Sequence, residues 1–279
     1  MFDRIEKLGH STIQHGANNN RIYLMKLDGR DMPALLQQLD DLARNRGYTK
    51  IFAKVGGSHA HEFLANGYIR EAKVPGFKKG KEDIFFLSKF LDKKRAGLSD
   101  DKKLTLENNF RIALQKAEDY QAHTLPLEYS MRELTEHDAR ELADLYQVVF
   151  EVYPFPIFDP KYLVETMREH IRYFGAFENG DLVAAASSEM DGEDLNSEMT
   201  DFATRPSHLG KNLSYFLLQE MEIHMKEAGL KTLYTIARAE SVGMNTTFAR
   251  MGYSFAGQLV NNTMISTQIE SMNVWYKSI

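Results

Sequence analysis

The chain has no cysteine among its 279 residues. That absence excludes disulfides, a thiolate nucleophile and a cysteine-based metal site. No apolar run reaches the roughly 18 residues that a membrane-spanning helix needs. The opening Met1-Phe-Asp-Arg-Ile-Glu-Lys7 has no apolar signal core. Basic residues are outnumbered, 34 Lys and Arg against 39 Asp and Glu, and a net charge of −5 leaves no basic footprint for nucleic acid. The expectation is a cytoplasmic protein with no metal, membrane or nucleic-acid partner. A hydrophobic fraction of 43% with 11% aromatics suits a globular protein. The length allows one large domain or two small ones.

One stretch organises the rest. Residues 199–204 lack Gly and Pro and read as a strand, which Pro206 stops from continuing in a sheet interior. Residues 208–214 form a short loop around Gly210. Leu213, Phe216, Leu217, Met221 and Met225 then recur at the spacing of one helix face. Such a loop turns unpaired backbone N–H groups outward at the positive end of a helix, which makes an anion site. Gly210 removes a side chain where a phosphate needs close approach.

In chain order, residues 1–20 suggest a strand or hairpin and residues 22–27 a strand. Asp31 caps a helix with Pro33 in its first turn, and Gly47 ends that helix. Strands follow at 51–55, from Tyr68, and at 84–90, with a short helix ending at Gly67. Residues 91–125 are charged and helix-like between Leu104 and Tyr120, as in a helical linker. From Tyr129 the order is strand, helix, helix, three strands, helix, strand, helix, two strands. Thr135 with Asp138 forms a near capping box, and Asp159-Pro160 opens the second helix. Asn179-Gly180 is the strongest hairpin signal. The closing strands are expected at 253–256 and 273–277. The class is α/β (α+β), divided into 1–95, a linker at 96–125, and 126–279.

The first segment echoes the last. Gly47-Tyr-Thr-Lys-Ile-Phe-Ala53 matches Gly229-Leu-Lys-Thr-Leu-Tyr-Thr235, and Phe63-Leu-Ala-Asn-Gly-Tyr68 matches Phe248-Ala-Arg-Met-Gly-Tyr253. The first segment has no counterpart of the 208–214 loop. Its Asp28 and Asp31 would repel a pyrophosphate.

Pro206-Ser-His-Leu-Gly-Lys-Asn-Leu-Ser214 resembles the pyrophosphate loop of the GNAT acetyltransferase superfamily, Gln/Arg-x-x-Gly-x-Gly/Ala. Ser207, Gly210 and Asn212 stand at its three positions, two of them departures. Arg132-Glu-Leu-Thr-Glu-His-Asp138 and Phe248-Ala-Arg-Met-Gly-Tyr253 extend the resemblance, which covers 126–279 in element order. It implies a GNAT acyl-CoA N-acyltransferase fold, a mixed sheet flanked by helices, with residues 1–95 as a partial GNAT-like half. It also implies acetyl-CoA as co-substrate. The pantetheine arm would run along Phe202, Ala203 and Thr204, and the pyrophosphate would lie on Leu209, Gly210, Lys211, Asn212, Leu213 and Ser214. The family often places a base where Glu198 stands. Asp201, on the opposite strand face by alternation, is the other carboxylate near the acceptor. The usual acid Tyr is Phe248 here, which has no proton to give, and the usual Asn is Ser241. Tyr215, Tyr253 and Ser241 are the substitutes.

As a whole the chain resembles the β-lysine N-acetyltransferases. They move acetyl to the side-chain amine of β-lysine, giving the compatible solute Nε-acetyl-β-lysine, with a functional link to a lysine 2,3-aminomutase. A diamino acid needs acids for its ammonium groups and one cation or helix end for its carboxylate. Glu198, Asp201 and Glu189 are the candidate acids, and Tyr153, Phe155 and Phe158 the walls of the aliphatic stem. Two alternatives stay open: a protein or peptide lysine acetyltransferase, and a non-catalytic acyl-CoA-binding protein. Oligomeric state is not readable.

Overall fold

A computed structural model of the chain describes residues 3–119, 124–153 and 155–279. The expected helix end at Tyr120 lies outside them. The first half runs β1 (Arg4–Leu8), β2 (Ser11–Gly16), β3 (Arg21–Lys26), α1 (Ala34–Arg46), β4 (Lys50–Gly56), α2 (Gly57–Ala65), β5 (Ile69–Lys78) and β6 (Glu82–Phe90). Two helices, α3 (Lys93–Ala96) and α4 (Asp100–Glu118), lead to the second half. It runs β7 (Tyr129–Glu133), α5 (Ala139–Val149), α6 (Pro160–Glu169), β8 (Ile171–Glu178), β9 (Asp181–Asp191), β10 (Asn196–Thr204), α7 (Leu213–Glu227), β11 (Thr232–Arg238), α8 (Val242–Arg250), β12 (Ser254–Ile265) and β13 (Gln268–Ser278). The element order expected from residue 129 onward is present.

The strands form one continuous sheet in the order β1-β2-β3-β4-β6-β5-β12-β13-β11-β10-β9-β8-β7. Its halves repeat one plan. The run β8-β9-β10-β11-β13-β12 has the order of β1-β2-β3-β4-β6-β5, and the parallel pair falls at the same place, β10 with β11 and β3 with β4. Each half carries a bulge at the matching point, Glu71 after Arg70 in β5 and Ala256 after Phe255 in β12. The halves join beside these bulges, where Ala72 pairs with Gly257, so a pseudo-two-fold axis runs through the joint. The repeat is thus longer than its sequence echo, because strand pairing keeps the plan where residue identities have diverged.

Among the described residues, the first half has no counterparts of α5 and α6. Helices α1 and α2 cover one face of its strands. The other face, with Phe52, Val74, Phe77, Ile84 and Phe86, packs against Tyr234, Leu259, Met272 and Val274 of the second half. Phe77 lies 4.9 Å from Tyr234, ring centre to ring centre. Helix α4 docks on the second half through Phe110, whose ring stands 4.6 Å from Phe255 and 5.6 Å from Trp275. Among the described residues, no helix is long and apolar enough to cross a membrane.

Two local expectations need correction. Asp31 does not cap α1, whose N-cap is Pro33 with no side-chain bond. Its carboxylate accepts from the His10 and Ser11 N–H groups at 2.9 and 2.7 Å and so fixes the β1–β2 turn. Strands β12 and β13 also reach well beyond 253–256 and 273–277. Gly257, Asn261 and Asn262 are poor strand formers, and the extension is held by buried groups of the first half instead. Lys50 Nζ donates to the Val260 carbonyl at 2.8 Å, and Glu71 accepts from the Val260 N–H at 2.7 Å. Arg95 Nε donates to the Asn261 carbonyl at 2.6 Å. Lys50 and Glu71 are themselves a buried ion pair at 2.9 Å.

Gly257 has a φ of 145°, and a Cβ there would come within 2.8 Å of the Ala72 Cα. Backbone cannot yield as a flexible side chain does. Gly257→Val is therefore expected to destabilise the protein by about 3 kcal/mol or more, measured by urea unfolding. Wild-type stability in that variant would mean that the joint is not tightly packed.

Candidate active site

Strand β10 pairs with β11 only through Asn196, Ser197 and Glu198. Beyond Glu198 the two strands part, and from Met199 to Thr204 the β11 side of β10 has no strand partner. A wedge opens there, with unpaired backbone groups along one wall. On its other side β10 stays paired with β9, interrupted by a bulge between Thr200 and Ala203.

That bulge corrects the expectation for Asp201. Strict alternation sets Asp201 on the face opposite Glu198. In the structure Asp201 takes a φ of 54°, and the extra residue flips the alternation. Met199 points into the core under α7, whereas Ala203 joins the core under α5 and α6. Asp201 shares that second side with Glu198. It accepts from Ser187 Oγ at 2.7 Å and from the Tyr153 hydroxyl. Glu198 stands directly opposite Glu189 across the β9–β10 pair, and its carboxylate receives the Tyr234 hydroxyl.

Three carboxyls thus gather beside the wedge, all above their ordinary acidity range. Burial is the main cause for each. Glu198 and Asp201 push Glu189 up further. Lys54 and the Tyr234 hydroxyl draw Glu198 back down, as the Tyr153, Ser187 and Thr200 hydroxyls do for Asp201. Tyr146, whose buried hydroxyl has no partner among the described residues, also senses the Asp201 charge.

The far wall comes from the first half. Lys54 on β4 and Tyr23 on β3 both feel the Glu198 and Glu189 charges. The Lys54 ammonium lies 5.5 Å from the Phe77 ring centre and 5.8 Å from that of Tyr234. In the repeated plan Tyr23 occupies the place of Glu198, and Gln14, its partner on β2, the place of Glu189. The first half has therefore kept the strand pair without its acids.

At the open end of the wedge, β10 leads through a single turn at Pro206–His208 into α7. Gly210 has a φ of 80° and Asn212 a φ of 58°. Among the described residues, and apart from its chain neighbours, nothing lies within 4 Å of where a Gly210 Cβ would sit. Among the described residues, the N–H groups of Gly210, Lys211, Asn212 and Leu213 donate no hydrogen bond, and α7 has no side-chain cap. Free N–H groups at a helix start, beside open space and exposed Lys211, fit a pyrophosphate. Leu209 is exposed there, while Leu213 is buried and offers only backbone.

The sequence profile of the acetyltransferase (GNAT) family matches residues 137–253. A β-lysine N(6)-acetyltransferase of Methanococcus maripaludis is 39% identical over 277 residues, 99% of both chains. The chain belongs to the acetyltransferase (GNAT) family. A β-lysine N(6)-acetyltransferase of Methanosarcina mazei is 33% identical, over 77% of this chain and 78% of that one. The N-acetyltransferase YodP of Bacillus subtilis is 29% identical over the full length of both. This GNAT protein is an acetyl-CoA-dependent N-acetyltransferase.

Within the GNAT frame, several expected residues have other work. Phe248 is fully buried, edge-on to Phe202 and Tyr253, so its ring offers no surface to the cofactor. Ser241 Oγ caps α8 by accepting from the Met244 N–H at 3.3 Å. Tyr215 rides on α7, on the other side of the sheet from Glu198, and is not brought to the carboxylates. Ala203 is buried, and Phe202 packs under α8, so with Thr204 they present backbone to the wedge. Phe155 and Phe158 pack on the α5–α6 core beside Tyr153. Tyr23, Lys54, Ser187 and Tyr234 escaped sequence reasoning. The first two lie in the other half, and no spacing pattern reveals that its bare face folds onto the site.

The carboxyl cluster sets a pH dependence of stability. A carboxyl whose acidity is weaker folded than unfolded loses its proton first in the unfolded chain. Folding is therefore penalised as pH rises from the ordinary range, about 4.3, toward the raised value. Glu189→Gln is expected to raise stability by roughly 1–3 kcal/mol at pH 9, and by nothing below pH 4. Thermal melts across pH measure it, and a uniform effect at all pH values would contradict the cause.

Proposed function

We propose that the protein transfers acetyl from acetyl-CoA to the side-chain amine of β-lysine, giving Nε-acetyl-β-lysine. One observation carries the reading: three carboxyls, buried Asp201 and half-buried Glu189 and Glu198, converge beside the β10–β11 wedge. They suit an acceptor with two ammonium groups, as the names of the two closely related relatives suggest. The partial burial of the cluster, with the first half as its far wall, favours a small free acceptor over a lysine in a peptide.

The bound thioester supplies the acyl group. The free N–H groups of residues 210–213 hold its pyrophosphate, and the open edge of β10 aligns its arm and polarises its carbonyl. The terminal ammonium of the acceptor, with an ordinary pKa of about 10.4, gives its proton to Glu198, which burial makes a stronger base than an ordinary carboxylate. Asp201, held by Tyr153 and Ser187, faces the second ammonium group. The leaving thiolate takes its proton from water, since Phe248 has none to give. The second half carries the cofactor loop and both wedge strands. The first half, with Gln14 and Tyr23 in place of the acids, serves as a wall.

The test is CoA release with acetyl-CoA against β-lysine, α-lysine, a polyamine and a lysine peptide. Turnover is expected to be fastest with β-lysine. Preference for the peptide, or release with no acceptor, would refute the assignment.

A further inference from the structure

Among the described residues, Lys54 is a cation of the opposite half that feels the charges of Glu198 and Glu189. It enters from β4, on the face that lacks helices, in the place that Ile236 holds in the second half's copy of the plan. Its ammonium lies over the Phe77 and Tyr234 rings, and the residue is half-buried. It feels Glu198, Asp191, Glu189 and Asp194 at a distance. Yet among the described residues it makes no ion pair and no hydrogen bond with any of them. Lys26 and Lys78 of the same half do close ion pairs, with Glu193 and Asp194 at 2.9 and 3.7 Å. An ammonium held over aromatic rings without a bonded partner is costly, and an anionic group of an acceptor would supply that partner. The acids bind the ammonium groups of a diamino acid and repel its carboxylate. Lys54 is the group placed to take that carboxylate, with a charge-assisted hydrogen bond.

We infer that Lys54 of the first half reads the acceptor's carboxylate and selects a diamino acid over a diamine of the same length. The inference rests on the acetyl-transfer reading of the site and assigns the first half a role in specificity.

The experiment compares β-lysine with 1,4-diaminopentane, the same skeleton without its carboxyl. Full-length wild type, Lys54→Met and Lys54→Arg are assayed with saturating acetyl-CoA. Wild type is expected to prefer β-lysine. Lys54→Met is expected to lower that preference, as the ratio of kcat/KM values, about 10–100-fold, mainly through a higher KM for β-lysine. Lys54→Arg should restore part of the ratio. An equal loss with both acceptors would overturn the inference, because it would place the effect on Glu198 or on the fold. An unchanged ratio in a Lys54→Met protein that melts like wild type would also overturn it. A wild type that acetylates neither acceptor would overturn the acetyl-transfer reading itself, and the inference with it.

Discussion

Glu198→Gln is expected to lower kcat/KM for β-lysine about 10²–10⁴-fold at pH 7, the usual cost of losing one positioned acid–base group. Acetyl-CoA affinity should stay near wild type, because Glu198 faces the α5–α6 side of the sheet and the cofactor loop begins α7. In the wild type the acid limb of the pH profile should lie above the ordinary carboxylate range, since burial holds the Glu198 proton on. That limb should vanish in Glu198→Gln, and the deficit should shrink as pH rises and bulk solvent supplies neutral amine. Asp201→Asn behaves differently if Asp201 holds the second ammonium group. Its acceptor KM should rise at every pH with kcat less affected. Wild-type rates in Glu198→Gln at pH 7 would remove Glu198 as the base.

The second large effect lies at the loop. Gly210→Glu sets a negative side chain into the open space before α7 and asks a non-glycine residue to hold a φ of 80°. Repulsion from the pyrophosphate and loss of the N–H cradle should together abolish acetyl-CoA binding within the range calorimetry measures. The fold should survive, because a side chain at this position would meet nothing within 4 Å beyond its chain neighbours. Unchanged affinity in a folded Gly210→Glu protein would show that the cofactor phosphates lie elsewhere.

The second half was largely legible in the sequence. Asn179-Gly180 marks the β8–β9 turn, Asp159-Pro160 the start of α6, and the Leu213, Phe216, Leu217, Met221 and Met225 stripe the buried face of α7. These are local signals, and local physics governs them. Glu198 and Glu189 could be named as candidates, but not their direct opposition, which depends on strand register. Asp201 was misplaced because a bulge has no reliable sequence signature. Its φ of 54° is held by its place between β9 and the wedge rather than by a glycine. The long β12–β13 hairpin was missed because Lys50, Glu71, Arg21 and Arg95 of the other half support it. The same distance in sequence hid Lys54 and Tyr23. What the sequence echo showed as two short matches is a six-strand repeat, since backbone pairing tolerates substitutions that erase residue identity.

The most direct test is the structure of the product. Full-length protein, acetyl-CoA carrying a ¹³C-labelled acetyl group and β-lysine are incubated together, and the product is examined by two-dimensional NMR. The expected result is a single acetyl amide coupled to the terminal methylene of the chain, at the side-chain nitrogen. Acetyl on the nitrogen next to the carboxyl-bearing end, or unmodified β-lysine after complete consumption of acetyl-CoA, would contradict the assignment.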